Sequence, residues 1–333
     1  MESTRQSPFL FFRSLKLIVM LSRRQIRIKV LQILYAFFHS DSEDLMKCER
    51  DLGKSIEKSY DLYLHLLVLL VDLKGLAEQK LEKGRNKLLP SQADLSPNAK
   101  FIDNKALCLL AENISLKDKA ENTSIYWSES PELISGLLRT IQESEMYQTY
   151  MEESTSSFMD DRKFLTALFS EFIAPNEELH SFLEEKSIYW QDDFAIANVA
   201  VLKTLKSFKP ESDAYTRILP LFKDQSDEKF AYDLLKRTLV NSDDYKNYII
   251  ETASNWDEER ISDMDQLLMQ MAICELLNFE TVPVKVSLNE YIELSKDYSS
   301  PKSKHFINGV IDRLAARFKE EGKIKKMGRG LVD

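Results

Sequence analysis

Apolar residues recur at intervals of three and four along almost the whole of this chain, and that period belongs to the α-helix. In residues 22–39, for example, Ile26, Val30, Ile33, Leu34 and Phe37 fall on one helical face. No alternating pattern longer than four residues argues for a strand, and no internal repeat of fixed period is visible. Only 8 Gly and 9 Pro occur in 333 residues, too few for an all-β fold built on tight turns or for a low-complexity chain. With 44% hydrophobic and 30% charged residues the chain can bury a core, so disorder is excluded. The expected fold class is all-α.

The period predicts helices over 22–39, 45–83 (one long helix or two shorter ones), 100–112, 131–153, 160–173, 176–186, 191–208, 226–239, 242–254, 260–278, 284–297 and 301–319. Residues 84–99 read as a loop, residues 122–130 as a polar loop carrying Tyr126 and Trp127, and the stretch between Pro210 and Pro220 as irregular. Ser22 is placed to cap the first helix, and Ser300 followed by Pro301 to start the last. Gly309 lies inside that last helix at a cost of about 1 kcal/mol against Ala, which points to a close helix–helix contact.

The apolar stretch at residues 9–21 is broken by Arg13 and Lys16, too short and too charged for the ~20 apolar residues of a membrane span, and it lacks a small-residue cleavage site. Met20 is a candidate start, and residues 1–21 are expected to form an N-terminal extension outside the fold. The run 62–71 has the length of a buried helix, and His65 within it is expected to be a hydrogen-bonded core residue. Cys48, Cys108 and Cys274 lie far apart, which argues against a disulfide scaffold or a Cys zinc site and for a reducing cytoplasm.

Catalytic patterns are missing. None of the four His has a second ligand at metal-binding spacing, and there is no phosphate loop, G-x-G-x-x-G or G-x-S-x-G. The carboxylates sit in adjacent runs (Glu152-Glu153, Asp192-Asp193, Asp257-Glu258-Glu259), and neighbours on a helix do not face one another. Asn113 and Asn122 stand in glycosylation patterns that mean little in a cytoplasmic protein. No cofactor, metal or enzymatic activity is expected.

The net charge of −9 is unevenly spread. Arg5, Arg13, Lys16, Arg23, Arg24, Arg27 and Lys29 against Glu2 make residues 1–29 basic by +6. Arg317, Lys319, Lys323, Lys325, Lys326 and Arg329 against three acids make residues 317–333 basic by +3, so the remainder carries −18. A polyanion would be repelled by most of the surface and drawn to the two ends. In the first helix Arg23 and Arg27 project on the apolar side of the first turn, Arg24 at its edge and Lys29 on the far side. Cations at a helix N-terminus oppose the macrodipole at about 0.3–1 kcal/mol each. Two readings account for that cost: an external anion, or a buried carboxylate paired with Arg27. In the last helix Phe306 either stacks an unpaired base or packs with Val310 and Leu314 in the core.

Two stretches carry a resemblance. The first is the Arg-rich helix ending in Leu34-Tyr35. The second contains Glu275-Leu276, then Val282-Pro283-Val284-Lys285-Val286-Ser287-Leu288-Asn289-Glu290-Tyr291-Ile292-Glu293-Leu294, then Phe306-Ile307-Asn308-Gly309-Val310-Ile311-Asp312. In residues and order they resemble the NusB family of transcription antitermination factors, over residues 22–39 and 227–320. The resemblance implies an all-helical bundle that binds boxA, a short single-stranded RNA element of rRNA transcripts, together with the small-subunit ribosomal protein NusE in an antitermination complex with RNA polymerase. It implies RNA-binding roles for Arg23, Arg24, Arg27, Lys304, His305 and Phe306, partner-binding roles for Tyr35 and Asp265, and structural roles for Asn289, Glu290 and Gly309. Lys302 replaces an acid common in the family, which raises the local positive potential.

The expected organisation is the extension 1–21, the Arg-rich helix 22–39, a helical insertion or enlarged lobe 40–226, the NusB-like bundle 227–320 and a basic tail 321–333. The insertion departs from the family; its acidity would repel RNA outside the basic site. Two other readings compete: a protein-interaction module without RNA binding, and the RNA-recognition domain of an rRNA methyltransferase. No Gly-rich cofactor loop follows the bundle, which disfavours the latter.

Overall fold

The computed structural model describes residues 19–40, 44–121, 127–253 and 261–331, and no strand occurs among them. The helices are α1 (Arg23–Phe38), α2 (Leu45–Arg85), α3 (Gln92–Leu95), α4 (Lys105–Glu112), α5 (Ile114–Ala120), α6 (Pro131–Glu143), α7 (Glu145–Glu152), α8 (Phe158–Leu168), α9 (Glu177–Lys186), α10 (Phe194–Ser207), α11 (Gln225–Val240), α12 (Ser242–Thr252), α13 (Asp263–Asn278), α14 (Val284–Tyr298) and α15 (Ser303–Glu320). The all-α expectation holds. No helix among the described residues is long and apolar enough to cross a membrane.

The predicted helices form wherever the apolar period runs, and side-chain caps decide where they stop. Residues 45–85 make a single helix about 60 Å long. Asp44 starts it by accepting from the Met46 and Lys47 N–H groups at 2.9 and 3.1 Å, and Lys83 and Arg85 suit the negative end of its dipole. The helix expected over 131–153 is instead two. Extended backbone at Ser144 breaks it, and the Ser144 hydroxyl donates to Ile141 O and accepts from Tyr147 N–H. Asn113 works the same way between α4 and the unforeseen α5, accepting from Leu116 N–H at 2.9 Å and donating to Thr216 O at 2.6 Å. That leaves Asn113 fully buried, out of reach of glycosylation. The last helix begins at Ser303, after a turn at Pro301 and Lys302, rather than at Pro301.

Two hydrophobic cores share α2. Its first turns (Cys48, Leu52, Ile56) pack with α1 and α11–α15, while Leu62 to Ala77 pack with α4–α10. The central element of the first lobe is α13, in which every residue from Leu267 to Leu276 is buried. The first lobe therefore takes in the start of α2, which the expected organisation places in the insertion 40–226. Met20 and Leu21, assigned to the N-terminal extension, are buried, and their N–H groups donate to Pro220 O and Leu221 O at 3.0 and 3.1 Å. Residues 1–18 lie outside the described residues.

Three expectations change on packing. Trp127 is core rather than loop, its indole N–H donating to His65 O at 3.0 Å; Tyr126 lies outside the described residues. His65 is buried against the edge of Trp190, but its Nδ1 has no hydrogen-bond partner among the described residues, and burial pushes its pKa down to about 3. Gly309 makes no close helix contact: a Cβ there would meet open space.

Candidate functional site

The first five residues of α1 include three arginines and no acid. Each is met by a carboxylate from another helix. Arg23 Nε–H donates to Asp227 Oδ1 of α11 at 2.9 Å, and its guanidinium lies 4.9 Å over the Phe230 ring. Arg24 donates from Nε and Nη2 to the two oxygens of Glu290 on α14, at 2.9 and 3.0 Å. Arg27 donates from Nε and Nη2 to both oxygens of Glu275 on α13, at 2.8 and 2.6 Å. Tertiary carboxylates, not a local partner, thus offset the unfavourable dipole position.

The three are not equivalent. Arg27 is 2% exposed and Glu275 0%. Burial alone would pull the Arg27 pKa down, but the Glu275 carboxylate raises it well above the usual arginine value. Burial alone would push Glu275 up; Arg27 and the hydroxyls of Ser287 and Tyr291, at 2.7 and 3.1 Å, hold it below the usual glutamate value. Of the two readings of Arg27, the fold contains the buried carboxylate pair. Arg27, expected among the RNA contacts, is thus held by Glu275 and only borders the cleft that opens beside Arg23 and Arg24. The side chains of Arg23 and Arg24 are 35% and 45% exposed. Arg23 engages Asp227 through one of five guanidinium N–H donors, and Arg24 engages Glu290 through two nitrogens, so both are oriented while presenting further donors to solvent.

At the start of α15, His305 is exposed, Lys304 half-buried, and Phe306 partly buried against the first-lobe core. These residues and the start of α1 flank one edge of α14. The Glu293 carboxyl on that edge is held below the usual glutamate value, first by its hydrogen bond from Lys296, and then by the fields of Lys296, Arg24 and Lys304. Glu290 and Glu293 lie one turn apart; Glu290 accepts from Arg24, and the fields of Arg24 and Lys304 both reach Glu293.

Beside Arg23 and Arg24 opens a cleft of about 1080 Å³. Its other walls are residues 223–227 leading into α11, residues 281–283 leading into α14, and Arg329 from the C-terminal tail. Sequence reasoning misses Lys223, whose isolated position carries no signal, and registers Arg329 only as one charge of a basic tail.

The two partner-binding assignments separate. Tyr35 is 39% exposed, stacks on His39 with ring centroids 4.0 Å apart, and lines a smaller cleft with Phe38, Asp263 and Gln266. His39 Nε2 lies 3.1 Å from Asp263. Asp265 is buried, accepts from the Ser299 hydroxyl and does not line that cleft. Expected to bind the partner, Asp265 lies buried at the third position of α13, whereas Asp263 lines the cleft beside Tyr35. Lys29, expected on the far side of α1, is also buried, because the second lobe covers that face and supplies Asp193 at 2.6 Å.

The sequence model of the NusB family matches residues 195–316. The match starts at α10, well inside the segment assigned to the insertion, and does not reach α1. Over 114 residues the chain is 43% identical to the transcription antitermination protein NusB of Salinibacter ruber, covering 34% of this chain and 71% of that protein. It is 40% identical over 104 residues to the NusB of Chloroherpeton thalassium (31% of this chain, 49% of that protein) and 36% identical over 104 residues to that of Dictyoglomus turgidum (31% and 70%). No solved structure matches the chain.

Proposed function

The chain belongs to the NusB family, and on that premise we propose that it is a transcription antitermination factor that binds boxA-type single-stranded RNA and acts with NusE in an RNA polymerase complex. The observation that supports the RNA half is the shared edge of α14. Arg24 is hydrogen-bonded to Glu290 of α14, and the fields of Arg24 and Lys304 both reach Glu293 one turn on, which supports reading the starts of α1 and α15 as one face. That face offers the free guanidinium donors of Arg23 and Arg24, the Lys304 ammonium, His305 and the Phe306 ring. Arginine donors suit phosphates, and an aromatic ring at a helix start suits an unstacked base. The acidic remainder of the surface disfavours RNA elsewhere. Tyr35, Phe38 and Asp263 at the other end of α1 are the surface this reading gives to the protein partner.

Arg23→Ala combined with Arg24→Ala tests the reading. The expected result is weaker binding of a fluorescein-labelled boxA RNA and a salt dependence shallower by about 0.7 log units for each phosphate no longer neutralised. Unchanged affinity and slope would refute it. Arg27→Ala is unsuited to the test because it removes a buried ion pair and lowers stability whatever the RNA does.

A further inference from the structure

The tail that follows α15 is docked by its backbone. Gly322, at φ +64, turns the chain, and the N–H groups of Lys323 and Ile324 donate back to Phe318 O at 2.9 and 3.3 Å. Lys326 Nζ then donates to Phe279 O at 2.9 Å and Glu275 O at 3.3 Å, satisfying carbonyls at the end of α13. Met327 N–H donates to Glu280 O at 2.9 Å. Gly328, at φ +56, opens a short 3₁₀ turn (Gly328–Leu331), closed by Gly330 N–H on Met327 O at 2.9 Å. Gly330 is buried so tightly that a Cβ would lie 2.0 Å from Glu280 O.

All these anchors are glycines, backbone groups and Lys326. None needs an arginine at position 329, yet the turn puts Arg329 on the wall of the cleft that Arg23 and Arg24 line from α1. Among the described residues neither Arg329 nor Lys223, on a third wall, makes an ion pair, and both are exposed. Three walls of one cleft therefore present cations; Asp224, which feels the field of Lys223, lines it too, with Asp227 and Glu290 already engaged by Arg23 and Arg24.

We propose that the C-terminal tail is part of the nucleic-acid site: it docks at the α13–α14 turn to hold Arg329 as a phosphate contact across the cleft from Arg23 and Arg24, so that the RNA backbone passes between them. This rests on the RNA-binding reading above and adds to it a second wall that the first and last helices do not supply. Arg329 binds phosphate; Gly330 and Gly328 are positioning residues that act through it.

Charge and docking can be removed separately. Binding of a fluorescein-labelled single-stranded boxA RNA is titrated across a range of salt for the full chain and its variants. Arg329→Ala is expected to weaken binding about fivefold and to lower the salt slope by about 0.7. Arg329→Lys should keep the slope. Gly330→Val leaves the arginine in place but cannot seat the turn, so it should weaken binding as much as Arg329→Ala does, and the two together should weaken it no more than either alone. Circular dichroism reports whether Gly330→Val folds; if it does not, Arg329→Ala and Arg329→Glu still decide the question, with Glu expected to weaken binding further. Parent-like affinity and slope for Arg329→Ala, alongside weakened binding for Arg23→Ala/Arg24→Ala, would overturn the tail's role and leave the RNA reading standing. No binding by the parent chain would overturn both.

Discussion

Glu275→Gln is expected to lower the free energy of unfolding by about 3–5 kcal/mol, the usual cost of stranding one member of a buried ion pair. The Glu275 carboxylate accepts from Arg27 twice, from Ser287 and from Tyr291, and neither charged side chain reaches water. Glutamine keeps the shape but leaves the Arg27 cation without an anion and turns an amide N–H₂ toward groups that themselves donate. Adding Arg27→Met should recover a large part of the stability, because the cation is gone, the glutamine carbonyl still accepts from one of the two hydroxyls, and its amide N–H₂ can donate to the oxygen of the other. The effect also has a sign in pH. The folded-state pKa of Glu275 lies below its ordinary 4.5, so its contribution is fully present above that value and is lost as the pH falls through the folded-state pKa. The gap between parent and Glu275→Gln in urea unfolding should therefore be full near neutrality and narrow in acid. A difference below about 1 kcal/mol at neutral pH would mean that the pair is solvated and not buried.

Asp193→Asn should destabilise by a similar amount, about 3–5 kcal/mol, for a different architectural reason. Lys29 Nζ of α1 lies 2.6 and 2.7 Å from the two oxygens of Asp193 at the head of α10, and Ser59 Oγ of α2 donates to the same carboxylate at 2.5 Å. All three residues are buried. The ion pair fastens the second lobe to the helix that carries Arg23 and Arg24, and the more exposed pair of Gln32 with Asp192, at 2.8 Å, extends it. Trp190, three residues before Asp193 and buried with its indole N–H on Lys58 O at 2.6 Å, reports on this junction by fluorescence. The expected result is a lower urea midpoint and an earlier red shift of the tryptophan emission to which Trp190 contributes, both largely reversed when Lys29→Met is added. A parent-like midpoint would show that the lobes are held by their shared α2 core alone.

Most of the architecture is legible in the sequence because the apolar period is local. Helix positions follow from side chains three and four residues apart, and the stretch from Glu275 to Asp312 carries a pattern dense enough to place it in a family. What is not legible is decided by residues far apart in the chain. Arg27 and Glu275 are separated by 248 positions and Lys29 and Asp193 by 164, so a helical wheel shows that Arg27 faces the apolar side but not what it meets there. The same wheel puts Lys29 outward because it assumes one buried face, whereas α1 lies between two lobes. The resemblance implies a partner-binding role for Asp265, and only the fold shows it turned to Ser299. The break at Ser144 and the start of α5 after Asn113 depend on single side-chain caps, too small a signal for periodicity to register. Arg329 reaches the cleft through a chain reversal at Gly322 and a docked turn, neither of which a charge count contains.

The claim that the starts of α1 and α15 form one RNA-binding face is tested most directly by photo-crosslinking. A boxA RNA carrying 4-thiouridine at each position in turn is irradiated with the full chain, and the adducts are mapped by mass spectrometry. The account predicts crosslinks on one RNA to peptides from both helix starts, around Arg23 and Arg24 and around Lys304 to Phe306. Adducts confined to one of the two, or to the acidic second lobe, would contradict it.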